Sequence, residues 1–216
     1  MNSVGPLSAV EESGILPVAV VEEVDAACRL AEAVSAEGLA CMEVTLRTAS
    51  AATVIRRLAR EFPDMTVGAG TVLSVGHAQA AALAGARFVV SPGFDPEVVE
   101  WCHEHNLPVI PGAVTPTEIG AVLRAGVSVV KFFPAEAMGG APTLQSLAGP
   151  FPEVRFLPTG GLDESNLDSY LRVQSVLACG SSWVVDRRLI EAGDFSRIRE
   201  RCRLARQIVD RARSSR

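Results

Sequence analysis

The chain has 216 residues, of which 48% are hydrophobic and 21% are charged. This length and composition predict one globular domain over 1–216, with enough apolar residues for a large core. The formal net charge of −5 gives no electrostatic case for a nucleic-acid partner. No run of 18 apolar residues occurs, so we expect no membrane-spanning helix and no membrane partner.

The N-terminal segment and the cysteines both predict a cytoplasmic protein. Segment 1–6 has no charged region followed by an apolar stretch, so we predict no signal peptide. The five cysteines are scattered without a Cys-x-x-Cys pair, which fits a reducing cytoplasm and no structural zinc. Cys102, His103 and His105 fall in a predicted helix, where the two histidines point to different sides. We therefore expect surface histidines and no metal site.

Short apolar segments alternate with amphipathic ones after a leader at about 5–13. The predicted strands lie at about 15–21, 41–47, 66–72, 88–91, 108–111, 128–133, 155–158 and 175–179. The predicted helices lie at about 24–37, 50–61, 77–84, 96–105, 116–125, 143–147, 164–171 and 195–213. The pattern is therefore eight β–α units in one domain.

The predicted strands are continuously apolar and rich in β-branched residues, which suits burial on both faces. Helices between successive strands require parallel pairing. Eight such units predict a (β/α)₈ TIM barrel, a fold that places its chemistry at the carboxyl ends of the strands. A doubly wound open sheet is the alternative, but no Gly-x-Gly-x-x-Gly follows the first strand.

The second predicted strand carries charges where a buried strand should have none. Alternation puts Glu43, Thr45 and Arg47 on one face and apolar residues on the other, so the charged face should look into the barrel. Inward charges need partners or a chemical role. One interpretation is a structural Glu43–Arg47 pair. The other is a proton-transfer carboxylate beside a guanidinium that binds a carboxylate.

The sixth predicted strand contains Lys131, the one lysine of the chain, while the other basic residues are arginines. Its face-mates are Val129 and Phe133, so its amine has apolar neighbours. A lysine amine can lose its proton and attack a carbonyl, which a guanidinium cannot do. The alternative is a lysine that reaches the surface from the end of a strand.

Glycines and hydroxyls follow several other strands. Those at 158–161 and 180–182 follow strands seven and eight, where barrels of this kind bind phosphate. A simple helix start capped by Asp163 or Ser165 is the alternative. Glycines at 68–71 let the backbone approach a ligand, beside the hydroxyl of Thr71. The turns at 91–94 and 110–113 are equally well explained by turn chemistry.

Together these segments resemble the 2-keto-3-deoxy-6-phosphogluconate (KDPG) aldolases, also called KDPG/KHG aldolases after 4-hydroxy-2-oxoglutarate (KHG). The similarity runs from about 14 to 195. Its motifs lie at 43–47, 68–71, 91–93, 111–112, 130–136, 158–161 and 180–183. The lysine strand together with the Thr-Gly-Gly turn is the most specific part.

The resemblance implies a class I aldolase that uses neither metal nor cofactor. Lys131 would form an imine with the C2 ketone of a phosphorylated 2-keto-3-deoxy sugar acid, and Glu43 would move the protons. Cleavage of the C3–C4 bond would release glyceraldehyde 3-phosphate and then pyruvate. The family is typically homotrimeric, so the resemblance also implies a homotrimer.

The resemblance also implies which residues bind the substrate. Its carboxylate would be held by Arg47 and Thr71, and the pocket would be shaped by Pro92 and Phe133. The remaining substrate contacts, chiefly to the phosphate, would come from Thr159, Gly160, Gly161, Ser181 and Ser182. Ser181 departs from the glycine expected in close relatives, so its side chain would narrow the phosphate pocket or add a hydroxyl donor.

Three other functions fit parts of the pattern. The same chemistry can act on KHG or on the galactonate epimer of KDPG. A phosphosugar isomerase-like barrel would use Glu43 as a base without covalent chemistry. A non-catalytic phosphate-binding barrel would leave the inward Lys131 and Glu43 unexplained.

Overall fold

The computed structural model describes residues 5–214. The predictions about a signal peptide and a domain over 1–216 also involve residues 1–4 and 215–216, which lie outside the described residues. The strands are β1 Ile15–Ala19, β2 Cys41–Thr45, β3 Thr66–Gly70, β4 Val89–Val90, β5 Val109–Ile110, β6 Val129–Phe132, β7 Arg155–Pro158 and β8 Cys179–Ser181. The α-helices are α1 Pro6–Ser13, α2 Val24–Ser35, α3 Ala51–Glu61, α4 Val75–Leu83, α5 Pro96–Glu104, α6 Pro116–Arg124, α7 Gly140–Ala148, α8 Leu167–Leu171, α9 Arg187–Glu191 and α10 Phe195–Ser214. A short 3₁₀ helix spans Glu136–Met138.

Every strand pairing is parallel, as the alternation of strands and helices predicts. A curled six-stranded sheet has the order β5-β4-β3-β2-β1-β8, and β6 pairs with β7 in a separate two-stranded sheet. Single bridges, such as Gly112 to Lys131 and Thr159 to Gly180, connect the two sheets. The chain thus has an α/β fold with a curled parallel sheet, and not one continuous eight-stranded ladder.

The structure differs from the sequence analysis in one predicted strand and adds two helices that were not predicted. The eighth strand lies at β8 Cys179–Ser181 instead of 175–179, because pairing with β1 decides its place and the apolar run does not. The leader is a helix, α1, which has Pro6 at its start and ends at Gly14 with φ 69°. Helix α9 was not predicted, because five residues are too few to show a periodic pattern.

Helix α1 determines which end of the sheet is accessible. Its residues Leu7 and Val10 pack into the apolar cluster inside the curled sheet, with Leu16 of β1 and Cys41 of β2. These two strand residues lie at or near the amino ends of their strands, so α1 covers that end. The carboxyl ends remain for a site.

The structure also places the residues considered for a metal. His103 and His105 lie on the surface as predicted, while Cys102, which precedes them, is buried. Among residues 5–214, none of the five cysteines forms a disulfide. Across residues 5–214, no three side chains of metal-binding type converge, and no helix is long and apolar enough to cross a membrane.

Candidate active site

A cavity of about 180 Å³ opens at the carboxyl ends of the strands. Most of the residues predicted for the site line it: Glu43, Arg47, Thr71, Lys131, Phe133, Thr159, Gly160, Gly161 and Ser182. Sequence analysis did not assign the other lining residues to the site: Val18, Val20, Thr45, Leu162 and Gly180. Alternation in β1 and β2 carries a signal for the first three, because inward positions recur every second residue.

Lys131 presents its amine inside this cavity. Its Nζ atom lies 3.9 Å from Oε1 of Glu43 and 4.9 Å from the centre of the Phe133 ring. Its side chain is only 6% exposed, so the alternative of a lysine that reaches the surface is wrong. The backbone of Lys131 donates to the carbonyl of Pro111, which joins β6 to the segment after β5.

Glu43 is fully buried, and neither of its carboxylate oxygens has a hydrogen-bond partner in the structure. Burial therefore raises the pKa of Glu43, while the charges of Lys131 and Arg47 oppose this effect in part. A carboxyl group with a raised pKa can release and recover a proton near neutral pH, as a general acid or base must. The sequence placed this carboxylate correctly on the inward face.

Arg47 lies just beyond the end of β2 and is exposed at the mouth of the cavity. The ion pair of Glu43 is formed with Lys131, and among the described residues none is formed with Arg47. The predicted structural Glu43–Arg47 pair is therefore wrong. The exposed guanidinium remains available to an anionic group entering the cavity.

The glycines of β3 make room for side chains, which corrects the expectation that they admit a ligand. A β-carbon at Gly70 would collide with the carboxylate of Glu43, and one at Gly68 would collide with the ring of Phe88. Gly70 is thus the space that the Glu43 side chain occupies.

Thr71 follows β3 with a backbone φ of 58°. For a β-branched residue this left-handed conformation is a true outlier and costs on the order of 1–2 kcal/mol. Strain of this kind persists where the surrounding structure fixes it, and it concentrates at functional sites. Here it places Thr71 on the wall of the cavity.

The turn after β7 forms the far wall. Gly160 and Gly161 have φ values of 100° and 80°, which favour glycine. The alternative of a helix start capped by Asp163 or Ser165 is wrong, because Asn166 precedes α8 and caps it with no side-chain hydrogen bond. Asp163 instead accepts hydrogen bonds from the backbone and side chain of Ser165 in the turn before α8. A second recess, of about 460 Å³, shares Gly161 and Ser182 with the cavity and extends it outward.

Two predicted residues do not line the cavity. The hydroxyl of Ser181 donates to the carbonyl of Leu162 at 2.8 Å, and the residue is 2% exposed. It therefore neither narrows the pocket nor offers a hydroxyl there. Pro92 instead packs its carbonyl against Gly112, where a β-carbon would collide with it. Pairing with β1 and the turn after β4 set these orientations, which residue type alone does not reveal.

A buried amine beside an unpartnered carboxyl can form an imine with a ketone and can move the protons of that reaction. Residues 7–201 match the family model described as KDPG and KHG aldolase. A curated 2-dehydro-3-deoxy-phosphogluconate aldolase of Treponema pallidum is 49% identical over 93% of this chain and 96% of that protein. The KHG/KDPG aldolase of Escherichia coli K12 is 43% identical over 92% of each chain. The chain belongs to the KDPG and KHG aldolase family.

Two solved structures of KDPG aldolases are similar to the structure of this chain. The KDPG aldolase of Legionella pneumophila, crystallised with pyruvate captured as a covalent carbinolamine intermediate, has a TM-score of 0.89 and 39% identity over 93% of this chain and 97% of that one. The KDPG aldolase of Zymomonas mobilis, crystallised with 3-phosphoglycerate, has a TM-score of 0.86 and 37% identity over 94% and 95% of the two chains.

The space at Gly70 yields a first prediction. In Gly70→Ala the new methyl group displaces the Glu43 carboxylate, and a displacement of about 1 Å costs on the order of 10²-fold in turnover. Gly93→Ala is the matched control, because a β-carbon there meets nothing within 4 Å. Steady-state rates and melting curves separate the effects. If Gly70→Ala folds and keeps the wild-type turnover, turnover does not depend on the position of the Glu43 carboxylate.

The raised pKa of Glu43 yields a second prediction. The folded chain holds this proton more tightly than the unfolded chain, whose pKa is about 4.3. The contribution to stability is therefore greatest below that value and falls as pH rises toward the folded pKa. Glu43→Gln removes this titration. The Tm of Glu43→Gln minus the Tm of the wild type should therefore increase as pH rises from about 4.

Glu118→Gln supplies a control of opposite sign. Hydrogen bonds from the backbone of Val114, then from Thr115, lower the pKa of Glu118. Its contribution is present above the unfolded pKa and is lost as pH falls through the folded pKa. The Tm of Glu118→Gln minus the Tm of the wild type should therefore decrease as pH rises. Equal pH profiles for the two variants would show that burial does not raise the pKa of Glu43.

Proposed function

We propose that this protein is a class I aldolase that cleaves KDPG to pyruvate and glyceraldehyde 3-phosphate. The observation that carries the proposal is the Lys131 amine, enclosed in a cavity 3.9 Å from the buried carboxyl of Glu43. Family membership supports the reaction class. The carbinolamine of pyruvate in the Legionella relative supports covalent chemistry at an amine.

The reaction begins when Nζ of Lys131 adds to the C2 ketone, and loss of water gives a protonated imine. Glu43, acting through water, takes the proton of the C4 hydroxyl. The C3–C4 bond then breaks, its electrons pass to the imine, and glyceraldehyde 3-phosphate leaves behind an enamine. Glu43 returns a proton to C3, and hydrolysis of the resulting imine releases pyruvate and restores the amine.

The lining residues suggest how the substrate lies. Arg47 and Thr71 hold the carboxylate at the mouth near β2 and β3, and Phe133 packs against the pyruvyl carbons. Thr159, the Gly160–Gly161 turn and Ser182 hold the phosphate, with the positive φ values of the turn exposing backbone N–H groups. Ser181 contributes through its bond to Leu162, which fixes the end of the same turn.

KHG is a second substrate candidate, and the name of the Escherichia coli relative favours it. KHG is shorter and would fill only the inner cavity. The outer recess behind Gly161 and Ser182 favours the longer phosphorylated acid. The galactonate epimer differs only in configuration at C4, and its cleavage stays a prediction.

Three further predictions belong with this proposal. We propose that β1–β8 form a closed barrel of one domain, with single bridges at the junctions of the two sheets. Assembly as a homotrimer rests on the family resemblance. A cytoplasmic location is compatible with five cysteines that form no disulfide among the described residues.

The direct test is the rate of pyruvate release from KDPG, from its galactonate epimer and from KHG. Lys131→Arg keeps the charge but supplies no usable nucleophile, so turnover should fall by at least about 10³-fold on every substrate. Arg206→Lys on α10 is the matched control, because it exchanges the same two cations far from the cavity. Full activity in Lys131→Arg would refute the covalent mechanism and favour the isomerase-like barrel.

A further inference from the structure

The last residue of the lysine motif, Glu136, makes contacts that the proposed chemistry does not use. It opens the 3₁₀ helix Glu136–Met138, five residues beyond Lys131. Its Oε1 accepts a hydrogen bond of 2.5 Å from the hydroxyl of Tyr170 on α8. Tyr170 is the one tyrosine of the chain and is completely buried. A buried phenol needs an acceptor, and Glu136 supplies it.

Tyr170 keeps its proton. Burial, and then the hydrogen bond to Glu136, raises the pKa of Tyr170, so the phenol remains a donor at any physiological pH. The Glu136 side chain is therefore tethered at its tip although the residue is exposed.

The stem of the same side chain lies against the glycine turn. A β-carbon at Gly161 would come within 2.8 Å of Cβ and Cγ of Glu136. The backbone N–H of Glu136 donates to the carbonyl of Gly160 at 3.1 Å, and that of Ala135 donates to the carbonyl of Thr159 at 2.8 Å. Glu136 thus contacts the turn twice, with its backbone N–H at Gly160 and with its side-chain stem at Gly161.

Glycines need such support if they are to bind an anion. Gly160 and Gly161 have no side chains to pack, and glycine loses more conformational freedom on ordering than any other residue. An anion bound by backbone N–H groups gains most when those groups are already oriented. The tethered stem of Glu136, which does not line the cavity, restricts the turn at Gly161.

We propose that Glu136 is a positioning residue, whose side chain, held by Tyr170, fixes the Gly160–Gly161 turn for the phosphate of the substrate. This inference rests on the proposed function and extends it to a residue that does not line the cavity. The negative charge of Glu136 does not itself help, because it would repel phosphate. The required features are the acceptor oxygen and the methylene stem.

This separation of charge from shape makes the proposal testable with three variants. Glu136→Gln keeps the stem and an acceptor for Tyr170, Glu136→Ala removes both, and Tyr170→Phe removes only the donor. Glu136→Ala and Tyr170→Phe should raise the KM for KDPG and the inhibition constant of inorganic phosphate, each on the order of tenfold, the equivalent of one hydrogen bond. The Kd of pyruvate and the kcat should stay near wild type.

Glu136→Gln should retain the wild-type KM, which a role for the charge would not allow. Glu164→Ala, an exposed acidic residue beyond the same turn, is the control and should change neither constant. If Tm falls in Glu136→Ala and Tyr170→Phe while the phosphate constants do not move, the pair is only a structural brace and the proposal is wrong. Equal losses for pyruvate and phosphate would also overturn it.

The proposed function fails by a different result. If the wild type does not cleave KDPG, the aldolase assignment is wrong. If the wild type cleaves KDPG and the variants bind phosphate normally, only the role of Glu136 is wrong.

Discussion

The enclosed pair of Lys131 and Glu43 is the interaction on which the rest of the site depends. Two unit charges about 4 Å apart attract by about 4 kcal/mol in surroundings of effective dielectric constant about 20. Removing each ion from water costs several kcal/mol, so the attraction does not offset both desolvations. Glu43 also lacks any hydrogen bond. The pair is therefore a poor device for stability and a good one for exchanging protons.

Several features of the fold surround Lys131 and Glu43 and fix their positions. Gly70 leaves the volume that the carboxylate fills. Helix α1 covers the amino end of the sheet, and the cavity that contains the pair opens at the carboxyl end. Thr71 keeps an unfavourable backbone conformation on the cavity wall. The chain thus accepts local strain and buried charge around one cavity, while its stability comes from the extensive apolar core between strands and helices.

Sequence patterns predicted the inward positions of Lys131 and Glu43 well, because these positions depend on local rules. Alternation along β2 put Glu43 on the inward face, and the scarcity of lysine drew attention to Lys131. The parallel α/β arrangement followed from the alternation of strands and helices. These inferences need only the period of a strand and the chemistry of a side chain.

Features set by contacts distant in sequence were not predictable. The hydroxyl of Ser181 turns to Leu162 because β8 pairs with β1, and no local pattern reveals that pairing. Gly70 is needed because the side chain of Glu43, 27 positions earlier, occupies the space beside it. The pairing of β2 with β3 brings these two residues together. The contact between Glu136 and Tyr170 likewise joins two elements 34 positions apart.

The most direct test of the account is reductive trapping of the imine. Incubation with pyruvate and borohydride should give one stable secondary amine per chain, located by peptide mass analysis on the segment that contains Lys131. Since the chain has no other lysine, the α-amino group of Met1 is the competing amine. Trapping should decline at low pH, where a protonated amine cannot attack. Label found only at Met1 would contradict the central claim that Lys131 is the nucleophile.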